Sequence, residues 1–397
     1  MKSLDINILP DTWDVRKLSE ITTAKNSSIS MGEIEGGSGS FPIYGASGII
    51  TTINTYASDE EYVGIIKDGA GVGRVLKCEP KSSLLGTLTY IFPSGNCDID
   101  YLFYSLQAVH FNKFIIGSTI PHIYYRDYSM VKIPFPPIKE QREIAIVLVT
   151  IDRAISKSSS LLLLSEKRKT GLKQQLLTGR KRFKEFVKSK KSLKTKLGDL
   201  PEDWELKHIS DIVHRVKKRF TPDLETPYRE IGIRSHCKGI FHKEEVSGAS
   251  LGNKSVFWIQ PDCFVVNIVF AWEHAIAKTT EAEVGMIASH RFPMYKPKKE
   301  ILDLDYLLYF FKTARGKHLL GLASPGGAGR NKTLGQSEFA KLKIPVPSLE
   351  EQKKIVAVLS EADKEIELLQ QQIDVLKEQK KGLMQKLLTG EVRVKID

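Results

Sequence analysis

Two stretches of the chain repeat one hydrophobic pattern with a helical period. At positions 144, 148, 151, 155, 158, 162, 165, 169, 172 and 176 the steps alternate between four and three residues, the spacing of a heptad seam. Ile144, Leu148, Ile151, Ile155, Leu162, Leu172 and Leu176 fill it with apolar side chains, and Ser158, Ser165 and Lys169 interrupt it. At an offset of 211 residues the seam returns as Ile355, Leu359, Ala362, Ile366, Leu369, Ile373, Leu376, Lys380, Leu383 and Leu387. Pro134, Pro136 and Pro137 precede the first stretch, and Pro345 and Pro347 the second, where a helix tolerates proline. Ser348 with Glu351 three residues later reads as a capping box. Gly179 and Gly390 suit the left-handed residue that closes a helix. The pattern predicts two helices of about forty residues, each about 60 Å long. Their length and shared register favour a coiled-coil pair over ordinary core helices.

Between these modules the pattern changes. Residues 15–130 and 206–342 carry short β-prone runs broken by glycine: Tyr62-Val-Gly-Ile-Ile66, Leu88-Thr-Tyr-Ile-Phe92, Val256-Phe-Trp-Ile259 and Cys263-Phe-Val-Val-Asn267. Such spacing predicts β-rich domains, each with a short helix, at Asp100–Phe111 and Asp305–Lys317. Arg180–Leu197 is dense in Lys and Arg and reads as a solvated linker.

The repeat extends beyond the seam. Leu9-Pro-Asp-Thr-Trp13 recurs as Leu200-Pro-Glu-Asp-Trp204, and Lys17-Leu-Ser-Glu-Ile21 as His208-Ile-Ser-Asp-Ile212, at an offset of 191. Lys132-Ile-Pro-Phe-Pro136 with Glu140-Gln141 recurs as Lys343-Ile-Pro-Val-Pro347 with Glu351-Gln352. Gly171-Leu-Lys-Gln-Gln-Leu-Leu-Thr-Gly179 recurs as Gly382-Leu-Met-Gln-Lys-Leu-Leu-Thr-Gly390, again at 211. A module spanning 132–179 is therefore copied at 343–390, and the extra residues of the second half lie in or before its variable region.

The bulk numbers narrow the class. A chain of 397 residues implies two or more domains, and a hydrophobic fraction of 41% is enough for real cores. A net charge of +12 points first to nucleic acid, ahead of an anionic membrane or a merely basic surface. Cys78, Cys97, Cys237 and Cys263 form no CxxC pair, so they read as reduced thiols of a cytoplasmic protein. Adjacent His236 and Cys237 lack the separation of zinc ligands. Met1-Lys-Ser-Leu-Asp5 shows no signal core, and the longest apolar runs, 145–151 and 161–164, are too short for a membrane span.

Catalytic motifs fail on inspection. Asp68-Gly-Ala-Gly-Val-Gly-Arg74 breaks the GxGxxG pattern at Arg74 and runs into a strand-like Val75-Leu-Lys-Cys78, so it reads as a hairpin or DNA-facing loop. Ser324-Pro-Gly-Gly-Ala-Gly-Arg-Asn-Lys-Thr333 has Asn331 where a P-loop needs glycine. No Asn/Asp-Pro-Pro-Tyr/Phe motif of an amino-methyltransferase is present. The carboxylates around Trp204 suggest a nuclease triad, but the copy at Pro10-Asp-Thr-Trp-Asp-Val-Arg16 does not keep the lysine. The histidines form no HExxH or Ser/Cys–His signature.

The doubled Ile-Pro-x-Pro-x-x-x-Glu-Gln, each copy followed by a long helix ending Leu-Leu-Thr-Gly, resembles the specificity subunits of type I restriction–modification systems. The Leu-Pro-x-x-Trp segments and, in the second variable region, Phe270-Ala-Trp-Glu-His-Ala-Ile276, Ser289-His-Arg-Phe-Pro293, Asp305-Tyr-Leu307 and Gly326-Gly-Ala-Gly-Arg330 are similar too. The first region is looser, with Gly64-Ile-Ile-Lys-Asp-Gly69, Asp100-Tyr-Leu102 and Ser118-Thr-Ile-Pro-His122, and lacks a counterpart of Trp272. The resemblance implies an α+β fold: two β-rich target-recognition domains joined by two long antiparallel helices, with pseudo-twofold symmetry. The corresponding division is recognition domain 1 at 1–137, helix 1 at 138–180, a basic linker at 181–198, recognition domain 2 at 199–347, helix 2 at 348–390 and a tail at 391–397. It also implies a bipartite target on double-stranded DNA. The implied partners are two modification subunits that bind S-adenosylmethionine and methylate adenine, and restriction subunits that hydrolyse ATP. Neither cofactor is expected on this chain, which would be non-catalytic.

Side-chain chemistry suggests the DNA contacts. Arg and Lys on glycine-bounded loops reach phosphates or guanine edges, and Asn reads adenine. The candidates are Lys67, Arg74, His122, Tyr124 and Arg126 in the first region. In the second they are Arg215, Lys217, Lys218, Arg219, Arg234, His236, Arg291, Arg330, Asn331 and Lys332. Trp13 and Trp204 are assigned to packing, because both copies keep them while target specificity should differ. Two other readings compete: a methyltransferase or nuclease with unfamiliar motifs, and a coiled-coil adaptor without a DNA role.

Overall fold

The computed structural model describes residues 9–34, 36–195, 197–326 and 332–396. The chain forms two compact units, Met1–Leu161 with Leu369–Asp397, and Leu162–Leu368. Two long helices dominate: a central helix, Ile138–Leu176, of 39 residues, and a C-terminal helix, Leu349–Leu388, of 40.

Within each unit the helices run antiparallel. In the first, Ile144 and Leu148 near the start of the central helix join Met384, Leu387 and Leu388 near the end of the C-terminal helix in one buried cluster. In the second, Leu176 at the end of the central helix clusters with Ile355 and Leu359 near the start of the other. No position of the predicted seam is exposed in either helix. Three of its polar members pair with carboxylates of the opposite helix. Ser165 Oγ donates to Glu365 at 2.8 Å, Lys169 pairs with Asp363, and Lys380 reaches Asp152 at 2.8 Å.

In the first unit, four strands stand in the order Thr22–Asn26, Leu88–Pro93, Tyr62–Ile66, Val75–Cys78. A second sheet holds Gly48–Ile53, Phe41–Gly45 and Ser83–Leu84. In the second unit, one sheet orders Val213–Val216, Met294–Pro297, Phe264–Val266 and Ile276–Lys278. The other orders Arg219–Phe220, Val256–Trp258, Ile287–Ser289, Pro227–Ile233 and Ile240–Ser247. Tyr62–Ile66 is buried throughout, as its unbroken apolar run requires.

The short helix of the first unit spans Ile99–Ala108, capped by Asp98. The expected single helix at 305–317 is two, Leu304–Phe311 and Ala314–Leu322. The break has a local cause: Thr313 adopts extended backbone and its hydroxyl accepts from Gly316 N at 3.0 Å, starting a new helix.

The expected capping box at Ser348 is only half formed. Glu351 N donates to Ser348 Oγ at 3.4 Å, but the Glu351 carboxylate does not return to the cap. It accepts from Trp204 Nε1 at 3.1 Å and from Arg182 Nε and Nη2 at 2.8 and 2.9 Å. Buried carboxylates need such donors, and three long-range donors outweigh one local amide. The segment read as a solvated linker thus delivers a largely buried arginine. It also forms a hairpin, Ser192–Thr195 with Gly198–Pro201.

Candidate nucleic-acid interface

A repeated set of polar tethers fixes each sheet assembly to the helices. Trp13 Nε1 donates to Glu140 at 2.9 Å, as Trp204 does to Glu351. Arg393 grips Glu140 at 2.6 and 2.7 Å, as Arg182 grips Glu351. The next residue, Gln141, accepts from Asp98 N at 2.8 Å and donates to Pro136 O at 2.9 Å. Gln352 accepts from Asp303 N at 2.9 Å and donates to Pro347 O at 2.9 Å. The Tyr101 hydroxyl donates to Pro134 O, and that of Tyr306 to Pro345 O, at 2.8 and 2.9 Å. Tyr104 donates to Asp152, which holds Lys380, and Tyr309 to Asp363, which holds Lys169. These tethers account for the copied Trp and Glu-Gln residues. Trp13 and Trp204 are packing residues, both buried.

On this common scaffold the two units carry unlike loops. In the first, Lys67 follows Tyr62–Ile66, and its carbonyl accepts from Ile123 N at 2.9 Å, while Gly69 N donates to Pro121 O at 2.9 Å. That pairing brings Lys67 alongside His122, Tyr124 and Arg126. The His122 ring meets the Tyr124 ring edge-on at 5.2 Å, and the Arg126 guanidinium lies 5.1 Å from the Tyr124 centroid. Tyr124 and Arg126 are exposed, whereas Lys67 and His122 are half-buried. Arg74 is exposed and donates to Ala46 O at 2.8 Å. The Gly-rich run is a turn between Tyr62–Ile66 and the strand Val75–Cys78, as the sequence predicted. Gly73 sits at φ +82, and a Cβ there would meet Phe111 Cβ at 2.6 Å, so this turn needs glycine. Sequence reasoning missed Ile116 and Ile120, both exposed on the loop closed by the Ile116–His122 bridge. The Ser-Thr-Ile-Pro run flanked by glycine was their signal.

In the second unit the segment Ile268–Ala275 acts as a hub. Ile268 N donates to Arg291 O at 3.0 Å, and Ile268 O accepts from Leu334 N at 2.8 Å. His236 N donates to Glu273 O at 2.8 Å, and Cys237 N to His274 O at 2.9 Å. The Lys332 ammonium lies 5.8 Å from the Trp272 ring, and the Arg234 guanidinium 4.8 Å from that of Phe241. Arg234, His236, Arg291 and Lys332 are thereby gathered although their sequence positions are far apart. Arg215, Lys217, Lys218 and Arg219 are exposed but belong elsewhere. They run along Val213–Val216 and Arg219–Phe220, the edge strands of the two sheets. Arg330 and Asn331 lie outside the described residues.

The hub contains one unusual side chain. His274 has left-handed backbone, φ +64, and its Nε2 is buried without a hydrogen-bond partner. Burial, with Lys317, Lys173 and His236 nearby, pushes its pKa down to about 4, so the ring is neutral at pH 7. Among the described residues no group of three or more His, Cys, Asp or Glu could hold a metal ion, and no helix is long and apolar enough to cross a membrane. The four cysteines form no disulfide.

One scaffold built twice, with different basic and aromatic loop edges, defines a repeated recognition protein. The sequence profile of the type I restriction modification DNA specificity domain matches residues 10–163 and again 201–378. The chain belongs to this family of DNA specificity subunits. It is 24% identical to the type I restriction enzyme MjaVIII specificity subunit of Methanocaldococcus jannaschii, covering 85% of this chain and 80% of that one. A provisionally assigned MjaX specificity subunit of the same organism is 25% identical, over 99% and 97% of the two chains. The crystal structure of the S subunit of the type I system of M. genitalium shares the fold, with a TM-score of 0.63 over 96% and 97% of the chains at 14% identity.

Proposed function

We propose that this chain is the non-catalytic reader of a type I restriction–modification complex, each unit reading one half of a bipartite DNA target. One observation carries the reading: the tethers at Trp13–Glu140–Arg393 and Trp204–Glu351–Arg182 are the same, while the loops they support differ. A scaffold copied for geometry with edges varied for contact is what two different half-sites require. In the first unit the readers are Lys67, His122, Tyr124 and Arg126; in the second, Arg234, His236, Arg291 and Lys332. Arg215, Lys217, Lys218 and Arg219 supply backbone contacts. Methylation of adenine belongs to two modification subunits carrying S-adenosylmethionine, and cleavage to ATP-dependent restriction subunits. The long helices offer these partners repeated outer positions, such as Arg142 and Lys353, both exposed.

Methylome sequencing of cells expressing the complex tests this reading. The expected motif has two specific parts around an unspecified spacer, and Arg291→Ala relaxes only one part, by about 1–3 kcal/mol of discrimination if it reads a base. A continuous motif, or methyl transfer by the purified chain alone, overturns it.

A further inference from the structure

Three lysines of the second unit converge beside the reading loop without carboxylate partners. Lys173 projects from the central helix and its Nζ donates to the backbone carbonyl of Lys312 at 3.3 Å. Lys317 follows on the helix Ala314–Leu322. All three ammonium groups act on the Cys237 thiol, favouring its charged form, although burial dominates and pushes it up. Lys317 and Lys173 also act on His274.

None of the three forms an ion pair among the described residues, whereas Lys169, Lys278 and Lys341 each have one. Asp363, whose charge reaches Lys173, is already engaged by Lys169 and Tyr309. Beside them His274 Nε2 is buried with no partner. Like charges held this close repel one another, and Lys173 is half-buried as well. An anion with several oxygens relieves both costs.

We infer that Lys173, Lys312 and Lys317 form a seat for backbone phosphates of the DNA duplex, next to the hub that presents Arg234, His236, Arg291 and Lys332. The inference rests on the DNA-reading role proposed above. It favours DNA over an acidic protein segment because the seat is continuous with the reading loop: the helix Ala314–Leu322, which carries Lys317, packs against Ala271–Glu273 of the hub, where Glu273 O accepts from His236 N. Phosphate contacts of this kind set position without reading sequence. The first unit does not keep the same three lysines: its hollow at this place is lined by Gln107, His110, Lys377, Lys380, Lys381 and Met384. Four residues after the tether lysine Lys380, as Lys173 stands four after Lys169, is Met384, and three after Tyr104, as Lys312 stands three after Tyr309, is Gln107. Met384 is buried beside Trp13 and Tyr104.

The test uses the full chain with its modification partner and two duplexes, one carrying the methylated motif and one scrambled. Binding is measured over a range of salt for the wild type, for Lys173→Gln/Lys312→Gln/Lys317→Gln, and for the corresponding triple Arg variant. Each lost phosphate contact lowers the slope of log affinity against log salt by about 0.9. The Gln variant is expected to lose about two such contacts, weakening equally on both duplexes, with discrimination kept. The Arg variant keeps the wild-type slope. Cys237, the least buried of the four thiols, should be alkylated several-fold more slowly when DNA is bound. An unchanged slope in a Gln variant with wild-type unfolding overturns the seat. So does loss of discrimination with the slope kept, or loss of the modification partner with DNA binding kept. If the wild type shows no salt-dependent binding to either duplex, the DNA-reading role itself fails with it.

Discussion

Arg182, six residues beyond the end of the central helix, forms a two-point ion pair with Glu351 at the start of the C-terminal helix, at 2.8 and 2.9 Å. Both side chains are almost wholly buried, at 8% and 2% exposure. Removing one partner strands the other charge. Arg182→Ala is expected to cost the second unit about 3–5 kcal/mol, read as a lower denaturant midpoint. Arg393→Ala at the matching position should cost less, because Arg393 is 42% exposed and water can replace it. Equal losses at both positions would contradict this account.

Tyr101 and Tyr306 make the same bond to a proline carbonyl in a fully buried setting. Tyr101→Phe and Tyr306→Phe each leave that carbonyl without the hydroxyl. Each should destabilise by about 1–3 kcal/mol, and by similar amounts, since the geometry is copied. Urea unfolding of the two variants measures it; a neutral change in either would show that the bond is idle.

The antiparallel pair constrains any change of helix length. Lys169 faces Asp363 and Lys380 faces Asp152, so the register places Ser156 near Val375. A seven-residue insertion keeps the seam in phase and adds about 10.5 Å. Made after Ser156 alone, it should break one set of tethers, because both ends of the pair are clamped. Made after both Ser156 and Val375, it should fold and change the spacer while leaving both half-sites intact. Methylome sequencing distinguishes the outcomes; altered half-sites with the old spacer would refute the division of roles.

His274 gives the second unit a pH dependence with a definite sign. Its pKa is pushed down to about 4 in the folded chain from an ordinary value near 6.5. Above 6.5 the ring is neutral in both states. Between 6.5 and 4 the unfolded chain takes up a proton that the folded chain refuses, so stability falls as pH falls. Below 4 this contribution levels off. His274→Asn suits the left-handed backbone and removes the titration, so its unfolding midpoint should decline less from pH 6.5 to 4. An unchanged pH profile would mean that other groups govern this range.

The sequence by itself determined the parts that depend on local periodicity and on repetition. Steps of four and three fixed which helix faces are buried, because the backbone turns a set angle per residue whatever lies beyond it. The copied Trp13 and Trp204 could be assigned to packing for the same reason: what two unlike domains share is scaffold. Tertiary structure alone decided what meets across distance. Ser348 and Glu351 fit a local capping box, yet Glu351 was drawn to Trp204 and Arg182, since a buried carboxylate is held best by charged and indole donors. Arg182 looked like one more cation in a basic linker, because composition does not say which of many charges is buried. The gathering of Arg234, His236, Arg291 and Lys332 around Ile268–Ala275, and of Lys173 with Lys312 and Lys317, follows from loop paths and strand order. Those paths are set by the packing of the whole unit, and no short-range pattern in the chain encodes them.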